Sequence, residues 1–582
     1  MRSPAVIFAI ISVGCSGDPS APNANSPAII SITGVQSTQV AGEKVPVAAK
    51  AEREGSAPIA GLLITFVSSI GGTAVPATAV TDANGVARTT WTVPETTGTA
   101  VLRANGGASS VEVVTDVKPA AAARINKLAG EGQDGFEGEV LPNSVRVSVT
   151  DAFGNAIAGR SVTFVVTAGG GSVTASSVIT APDGSASTEW RLGVGSTPNT
   201  LQVQTSDLTP ATFTATSRTP AGTFALTGGM SAARRSHTAT LLRDGRVLVT
   251  GGQSTNGGSG LATAELYDPT TSGFTRTANN MTVARVGHSA TLLSDGRVLI
   301  AGGSDGSRVD LFDPATNSFV QTGDLVDAQS WQEGTLLRGG EVLLTGGRTQ
   351  SGREARAELY DPATGMFRYT GPYANVIATG GYNGLVDISA TLLSDGKVLI
   401  ASLPRAEVYN PATGTFAATG SMLTNTGPSY ISGRTATLLI SGKVLLTGGH
   451  HEDRGRFSQA ELYDPSTGQF VNTMDMPYPR TIHTATLLAS GKVLIAGGES
   501  EGGSNNTGCN IFSLAAADVY DASGTTRTAA APMKVPREAQ RATLLKDGRV
   551  LITGGFTFRG GLNCTTFQVT ILNSAELYSE RP

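Results

Sequence analysis

The sequence predicts an all-β chain: two β-sandwiches followed by a seven-bladed β-propeller. Three observations carry this prediction. Gly accounts for 73 of 582 residues, aromatics for 5% and charged residues for 15%, a profile of many short strands joined by tight turns. Two segments in the first third repeat one order of strands and turns. From residue 222 a unit of roughly fifty residues recurs, and a period of that size marks a propeller or solenoid. A chain this long builds several cores rather than one.

The first stretch, MRSPAVIFAIISVG, carries one Arg, then an apolar run, and reaches Cys15. Residues 1–15 resemble a bacterial lipoprotein signal peptide. The box is Ser12-Val13-Gly14-Cys15, with Ser12 where that family usually has Leu. The resemblance implies export, a lipid on Cys15, and a place at the bacterial outer membrane or cell surface. The alternative is an ordinary secretory signal and a secreted protein. No later segment is long and apolar enough to span a bilayer. The formal charge of −4 and the lack of a basic tract argue against nucleic acid as a partner. The chain reads as a monomer that needs no cofactor.

A polar linker covers residues 16–27. Two sandwiches follow, at 28–117 and 118–217. The first contains PIAGLLITFVSSIGGTAV and TDANGVARTTWTV; the second contains AIAGRSVTFVVTAGGGSV and APDGSASTEWRLG. Short strands with turns every eight to twelve residues indicate sandwiches. Both resemble bacterial Ig-like domains of the invasin and intimin type, most closely in TDAFGNAIAGRSVTFVVTAGGGSVT at 150–174. That resemblance implies a surface stalk or spacer. Trp91 and Trp190 read as core. Asp151 and Asn155 are compatible with Ca²⁺, but turn chemistry explains them more simply.

The repeats occupy 222–582. A-T-L-L or a variant begins at Ala239, Ala290, Gly334, Ala390, Ala436, Ala485 and Ala542. A two-residue turn and an apolar strand follow, usually ending in Gly-Gly. Then come A-E-L-Y-D-P-type strands and G-x-F strands, which makes four strands to a unit. The region opens on a lone fourth strand at 222–230 and closes on a lone third strand, AELYSE. Seven complete units therefore require the opening strand to finish the last one. The residues resemble bacterial kelch repeats and propellers of the galactose oxidase type. Phe274, Phe319, Phe367, Phe416 and Phe470 stand where kelch repeats usually have Trp. Leu241, Leu242, Val247 and Val249, and their equivalents, are expected to bury apolar surface between units. The Gly pairs suit close packing or positive φ.

The turns within strand pairs 1–2 and 3–4 are short and uniform. The 2–3 and 4–1 connections vary, so a site is expected on their face. Its ligand-binding candidates are the aromatics Trp331, Tyr373, Tyr382, Tyr430 and Tyr478, together with Arg235, Arg285, Arg434, Arg480 and Arg537. The competing explanation is loop packing, or, for the Arg residues, the lead-in of the repeat itself. His237, His288, His450, His451 and His483 are weak metal candidates, because three of them also belong to that lead-in. Cys509 and Cys564 lie in the long connections of adjacent repeats and are expected to form a disulfide.

Galactose oxidase holds copper with Tyr and His and carries a Cys–Tyr crosslink. No position here matches that set, so the activity does not carry over. No G-x-S-x-G, H-E-x-x-H or phosphate-binding loop occurs. The expectation is an exported, lipid-anchored binding protein that recognises a glycan or a surface protein. The alternative is a carbohydrate-active or galactose oxidase-like enzyme with an axial site.

Overall fold

The computed structural model describes residues 27–69, 71–195, 198–303, 306–349, 356–374, 388–402, 405–423, 431–451, 455–501, 511–560 and 567–581. The expectations for Cys15, Tyr382, Tyr430, Cys509 and Cys564 lie outside these residues. The described chain is all-β, with no helix among its elements. It divides into two compact units, Met1–Thr219 and Pro220–Pro582.

The first unit holds two cores. One buries Val47, Ile64, Phe66, Trp91 and Leu102 among others. The other buries Val147, Phe164, Trp190, Leu201 and Phe213. Alternation drives this: Lys44–Glu52, in one sheet of the first core, buries every second residue. Around each core the strands form a smaller sheet facing a five-stranded sheet. Each five-stranded sheet begins with a short parallel pair, Thr38–Val40 beside Asp116–Lys118, and Gln133–Phe136 beside Ala215–Arg218. The repetition seen in the sequence is thus a repetition of topology. Both Trp side chains are fully buried, and Trp91 Nε1 donates to Ser68 Oγ at 2.9 Å. Asp151 works as turn chemistry: its Oδ1 accepts from the backbone N–H of Phe153 and Asn155 at 2.9 and 2.8 Å.

In the second unit each repeat folds as a four-stranded antiparallel sheet. The first is Thr238–Leu241, Val247–Thr250, Ala264–Asp268 and Gly273–Arg276. The last is Arg541–Leu544, Val550–Thr553 and Ala575–Glu580, completed by Gly222–Leu226 from the start of the unit. That closing strand pairs antiparallel with Ala575–Glu580, Phe224 opposite Tyr578. The first strands of successive repeats pack side by side, and that of the seventh packs against that of the first. The series of sheets is therefore closed.

The second strand of each repeat is the core. Val247, Leu248 and Val249 have essentially no exposure. Leu248 packs with Val298, Ile300 and Phe312 of the next repeat. Val247 and Val249 pack with Leu551 and Leu577 of the repeat before. Each such side chain contributes about 1.5–3 kcal/mol of apolar burial. The Phe residues of the fourth strands do the work expected of them. Tyr267–Phe274, Phe312–Phe319, Tyr360–Phe367, Tyr409–Phe416 and Tyr463–Phe470 pair with ring centroids 4.8–4.9 Å apart.

The long connections of repeats six and seven, which the sequence reads as loops, also contain strands. Glu499–Glu501, Ile511–Ser513, Phe556–Gly560 and Phe567–Ile571 form a further four-stranded sheet in that order. Their alternation is too short to stand out from the surrounding Gly, Ser and Asn.

Candidate functional site

The variable face is built on the few residues that precede each first strand. Five positions before the A-T-L-L alanine stands an Arg in repeats one, two, six and seven: Arg234, Arg285, Arg480 and Arg537. Each is almost wholly buried. Each pairs with the acid of its own third strand: Arg234 with Glu265 at 3.0 Å, Arg285 with Asp310 at 2.7 Å, Arg480 with Asp518 at 3.0 Å and Arg537 with Glu576 at 2.7 Å. Each also donates to the carbonyl of the first Gly of the pair, as Arg285 Nη1 does to Gly302 O at 2.8 Å. Repeat five reaches the same carboxylate from another position: Arg434, two residues before its alanine, lies 3.1 Å from Glu461. Repeats three and four have no such Arg. There Glu358 accepts from the N–H of Val326 and Asp327, and Glu407 from that of Ala374. Without a paired cation, burial raises the Glu358 carboxyl above its usual range.

Arg285, Arg434, Arg480 and Arg537 are therefore engaged inside the sheets. They clamp each 4–1 connection to its sheet. Arg235, the neighbour of the equivalent Arg234, is the one Arg candidate turned elsewhere. It is half-buried, donates to Gln253 and Asn256, and lies 5.3 Å over the Phe556 ring.

Two residues before the alanine stand His237, His288, Gln332, Ile388, Arg434, His483 and Gln540. This position reaches the previous repeat. His237 Nε2 hydrogen-bonds with Thr553 Oγ1 at 2.9 Å, His288 Nε2 with Thr250 Oγ1 at 2.8 Å and His483 Nε2 with Thr447 Oγ1 at 2.9 Å. In repeats three and seven the previous strand carries Ala301 or Ala496 instead of Thr and the position is Gln, whose Nε2 donates to that Ala carbonyl: Gln332 to Ala301 at 2.7 Å and Gln540 to Ala496 at 2.8 Å. The same contact explains the Gly pairs. A Cβ on Gly251 would sit 2.6 Å from the His288 ring, and Gly251 has φ +62°.

Burial is the main cause that holds these imidazoles neutral. It lowers His288 to about 3, and His237 and His483 well below the usual range. They sit in separate seams between repeats. His450 and His451 lie in a small strand that pairs with Gly455–Arg456. Among the described residues no three His, Cys, Asp or Glu side chains converge on a metal-sized site.

Three residues before the alanine the backbone is left-handed wherever it is described. Ser236, Gly287, Trp331, Gly433, Ile482 and Ala539 have φ from +46° to +70°. Their peptides link repeat to repeat: Gly287 N donates to Ser236 O, Trp331 N to Gly287 O at 2.6 Å, Ile482 N to Gly433 O and Ala539 N to Ile482 O. The result is a collar of small residues at one end of the ring of first strands, interrupted by Trp331 and Ile482. Bulky and β-branched side chains rarely accept this conformation. The Trp331 indole lies on Gly287, where a Cβ would come within 2.7 Å of the ring. The indole is half-buried, with one side packed.

The remaining aromatic candidates separate. Tyr373 packs on Phe416 at 4.7 Å and its hydroxyl accepts from Gly346 N, so it belongs to the core. Tyr478 is 48% exposed. Sequence reasoning did not single out Glu538, which is fully buried four residues before Ala542; the signal was an acid at a position held elsewhere by Arg235, Val286, Ser330, Val386, Ser432 and Thr481.

No protein-family model matches the chain, and no curated protein does. Among solved structures it is similar to a novel fungal alcohol oxidase with catalytic diversity among the AA5 family, in complex with copper. The TM-score is 0.51 over 62% of this chain and 76% of that one, with 18% identity. The chain has an all-β fold of the galactose oxidase type. At that identity the likeness concerns fold alone. Three of the buried His side chains, His237, His288 and His483, serve hydroxyls in different seams and do not converge on a copper site.

Proposed function

We propose that this is an exported, lipid-anchored surface protein whose second unit is a seven-bladed kelch propeller that recognises a glycan or a surface protein on its variable face. The sheets of the first unit are read as two Ig-like sandwiches that act as a spacer. Cys509 and Cys564 are read as a disulfide between the two connections that share the extra sheet. The observation that carries the binding reading is Trp331. A half-buried indole fixed in a left-handed backbone, on a collar of small residues, offers its open side as an apolar platform to a sugar ring or an aromatic side chain. Tyr478 supplies a second exposed aromatic on that face.

The test is a glycan and peptidoglycan-fragment binding screen on the full chain, repeated with Trp331→Ala and Arg285→Lys. Trp331→Ala should abolish a hit that Arg285→Lys retains. A hit that Trp331→Ala leaves unchanged overturns the platform. A blank screen with folded protein overturns glycan recognition. The structural likeness to a copper alcohol oxidase favours the enzyme as second reading. Alcohol-dependent oxygen uptake by the copper-supplemented chain would support it.

A further inference from the structure

The unclaimed feature of the variable face is a row of charges across four repeats. Arg456 donates to Glu501 Oε2 at 2.8 Å and to Glu499 Oε1 at 2.9 Å. The Glu499 charge acts on Glu538, and Arg235 of repeat one acts on it in the opposite sense. His450 adjoins Arg456 at the far end of the row. Ser513 also borders the site, with its Oγ accepting from Phe558 N at 2.7 Å. Glu538 is 0% exposed. Around its carboxyl the described residues supply the Ser513 hydroxyl and no paired cation. Its backbone pairs in both directions with Phe556, each N–H to the other's carbonyl at 3.0 Å. Phe556 begins a strand of the extra sheet formed by Glu499–Glu501, Ile511–Ser513, Phe556–Gly560 and Phe567–Ile571.

An ionised carboxylate with one hydroxyl and no paired cation among the described residues, buried beside a second carboxylate, is a costly arrangement. No third acid, His or Cys joins it among the described residues, and the neighbouring cations already have partners. A proton is the ligand that relieves it. We propose that Glu538 is a proton-operated latch: neutral, it holds the extra sheet down on the variable face, and ionised, it releases that sheet.

Burial first, and then the Glu499 charge, raise the carboxyl to about 9 in the closed form, against the opposing effect of the Ser513 hydroxyl, Arg456 and Arg235. An opened Glu538 returns to about 4.3. The closed form thus binds a proton that the open form has lost. Closure is complete at acid pH and weakens as pH rises towards 9.

The experiment is hydrogen exchange on the full chain between pH 5 and pH 9, reading protection factors. Amides of the four extra strands should lose protection by about tenfold per pH unit. Amides of Val247–Thr250 and Val444–Thr447 serve as the internal reference. Glu538→Gln keeps the shape and removes the titration, so its extra strands should stay protected throughout. Glu499→Gln removes the repelling charge and should reduce the total loss. Protection that is flat in the wild type, or equally steep in Glu538→Gln, overturns the latch.

Discussion

Replacing the pair Thr250–His288 by Ala and Gln tests how the seams between repeats are built. In the native chain His288 Nε2 bonds with Thr250 Oγ1 at 2.8 Å. The same seam elsewhere holds Gln540 Nε2 on the Ala496 carbonyl, with Thr484 Oγ1 on that carbonyl at 3.4 Å. The double variant T250A/H288Q therefore copies an arrangement the fold already contains, and Thr238 takes the place of Thr484. At pH 7 its stability should stay within about 1 kcal/mol of the wild type, since one hydrogen bond replaces another. Acid separates the two proteins. Burial lowers His288 to about 3 in the folded chain, against roughly 6.5 unfolded. The stability from keeping it neutral is whole above the unfolded value and is lost as pH falls. At pH 4 that loss is about 2.5 units at 1.36 kcal/mol each, or ~3 kcal/mol. Gln does not titrate, so the variant should be more stable than the wild type by that amount at pH 4. Glu538 titrates in both proteins and cancels. Equilibrium urea unfolding of both proteins at pH 7 and pH 4 reads the difference. An equal acid loss in the two would refute the buried neutral imidazole. A collapse at pH 7 would refute the equivalence of the seams.

Three further outcomes are read by the same assay at pH 7. Arg537→Met leaves Glu576 buried and charged, with the N–H groups of Lys534 and Val535 still donating to it, and should cost about 3–5 kcal/mol; Arg537→Met/Glu576→Gln should recover part of it. Thr345→Val should be neutral or stabilising by ~1 kcal/mol, because Ile388 follows it and its buried hydroxyl lacks a partner among the described residues. Thr447→Val, which strips His483 of a partner, should cost about 1–3 kcal/mol.

The repeat was legible because its register is local. Alternation, a two-residue turn and the Gly pair together placed each strand, and the lone strands at 222 and 575 required the partner they have. The role of the lead-in Arg was not legible in the same way. Its carboxylate lies in the third strand of the same repeat, 25–39 residues away for Arg285 and Arg537, so an Arg column reads equally well as a ligand cluster. One column comparison would have separated the two readings, since the acid persists in repeats three and four, where Gln329 and Leu385 stand at the lead-in position. The seam code was also in the sequence. Thr250, Thr447 and Thr553 each meet His in the next repeat, and Ala301 and Ala496 meet Gln, while Thr345 meets Ile388 and Ala401 meets Arg434, but only side-by-side packing gives a reason to compare those positions. The collar was not in the sequence. Ser, Gly, Trp, Ile and Ala share no propensity for positive φ, and the conformation is imposed by hydrogen bonds between neighbouring repeats.

This gives a rule for finding function on a repeated scaffold. Positions whose residue follows the neighbouring repeat, as His288 follows Thr250, are fixed by packing and can be set aside. Chemistry is then sought where a side chain breaks its column and no neighbour accounts for the change. Trp331 is such a residue: it stands where other repeats have Ser, Gly, Asp, Ile or Ala, in a backbone conformation that Trp disfavours. Glu538 is another, a fully buried acid in a column otherwise of Arg, Val, Ser and Thr. Both carry a cost, Trp331 in its backbone and Glu538 in its buried carboxyl. Scaffold stability offers no reason to keep them, so the variable face is where their contribution has to be measured.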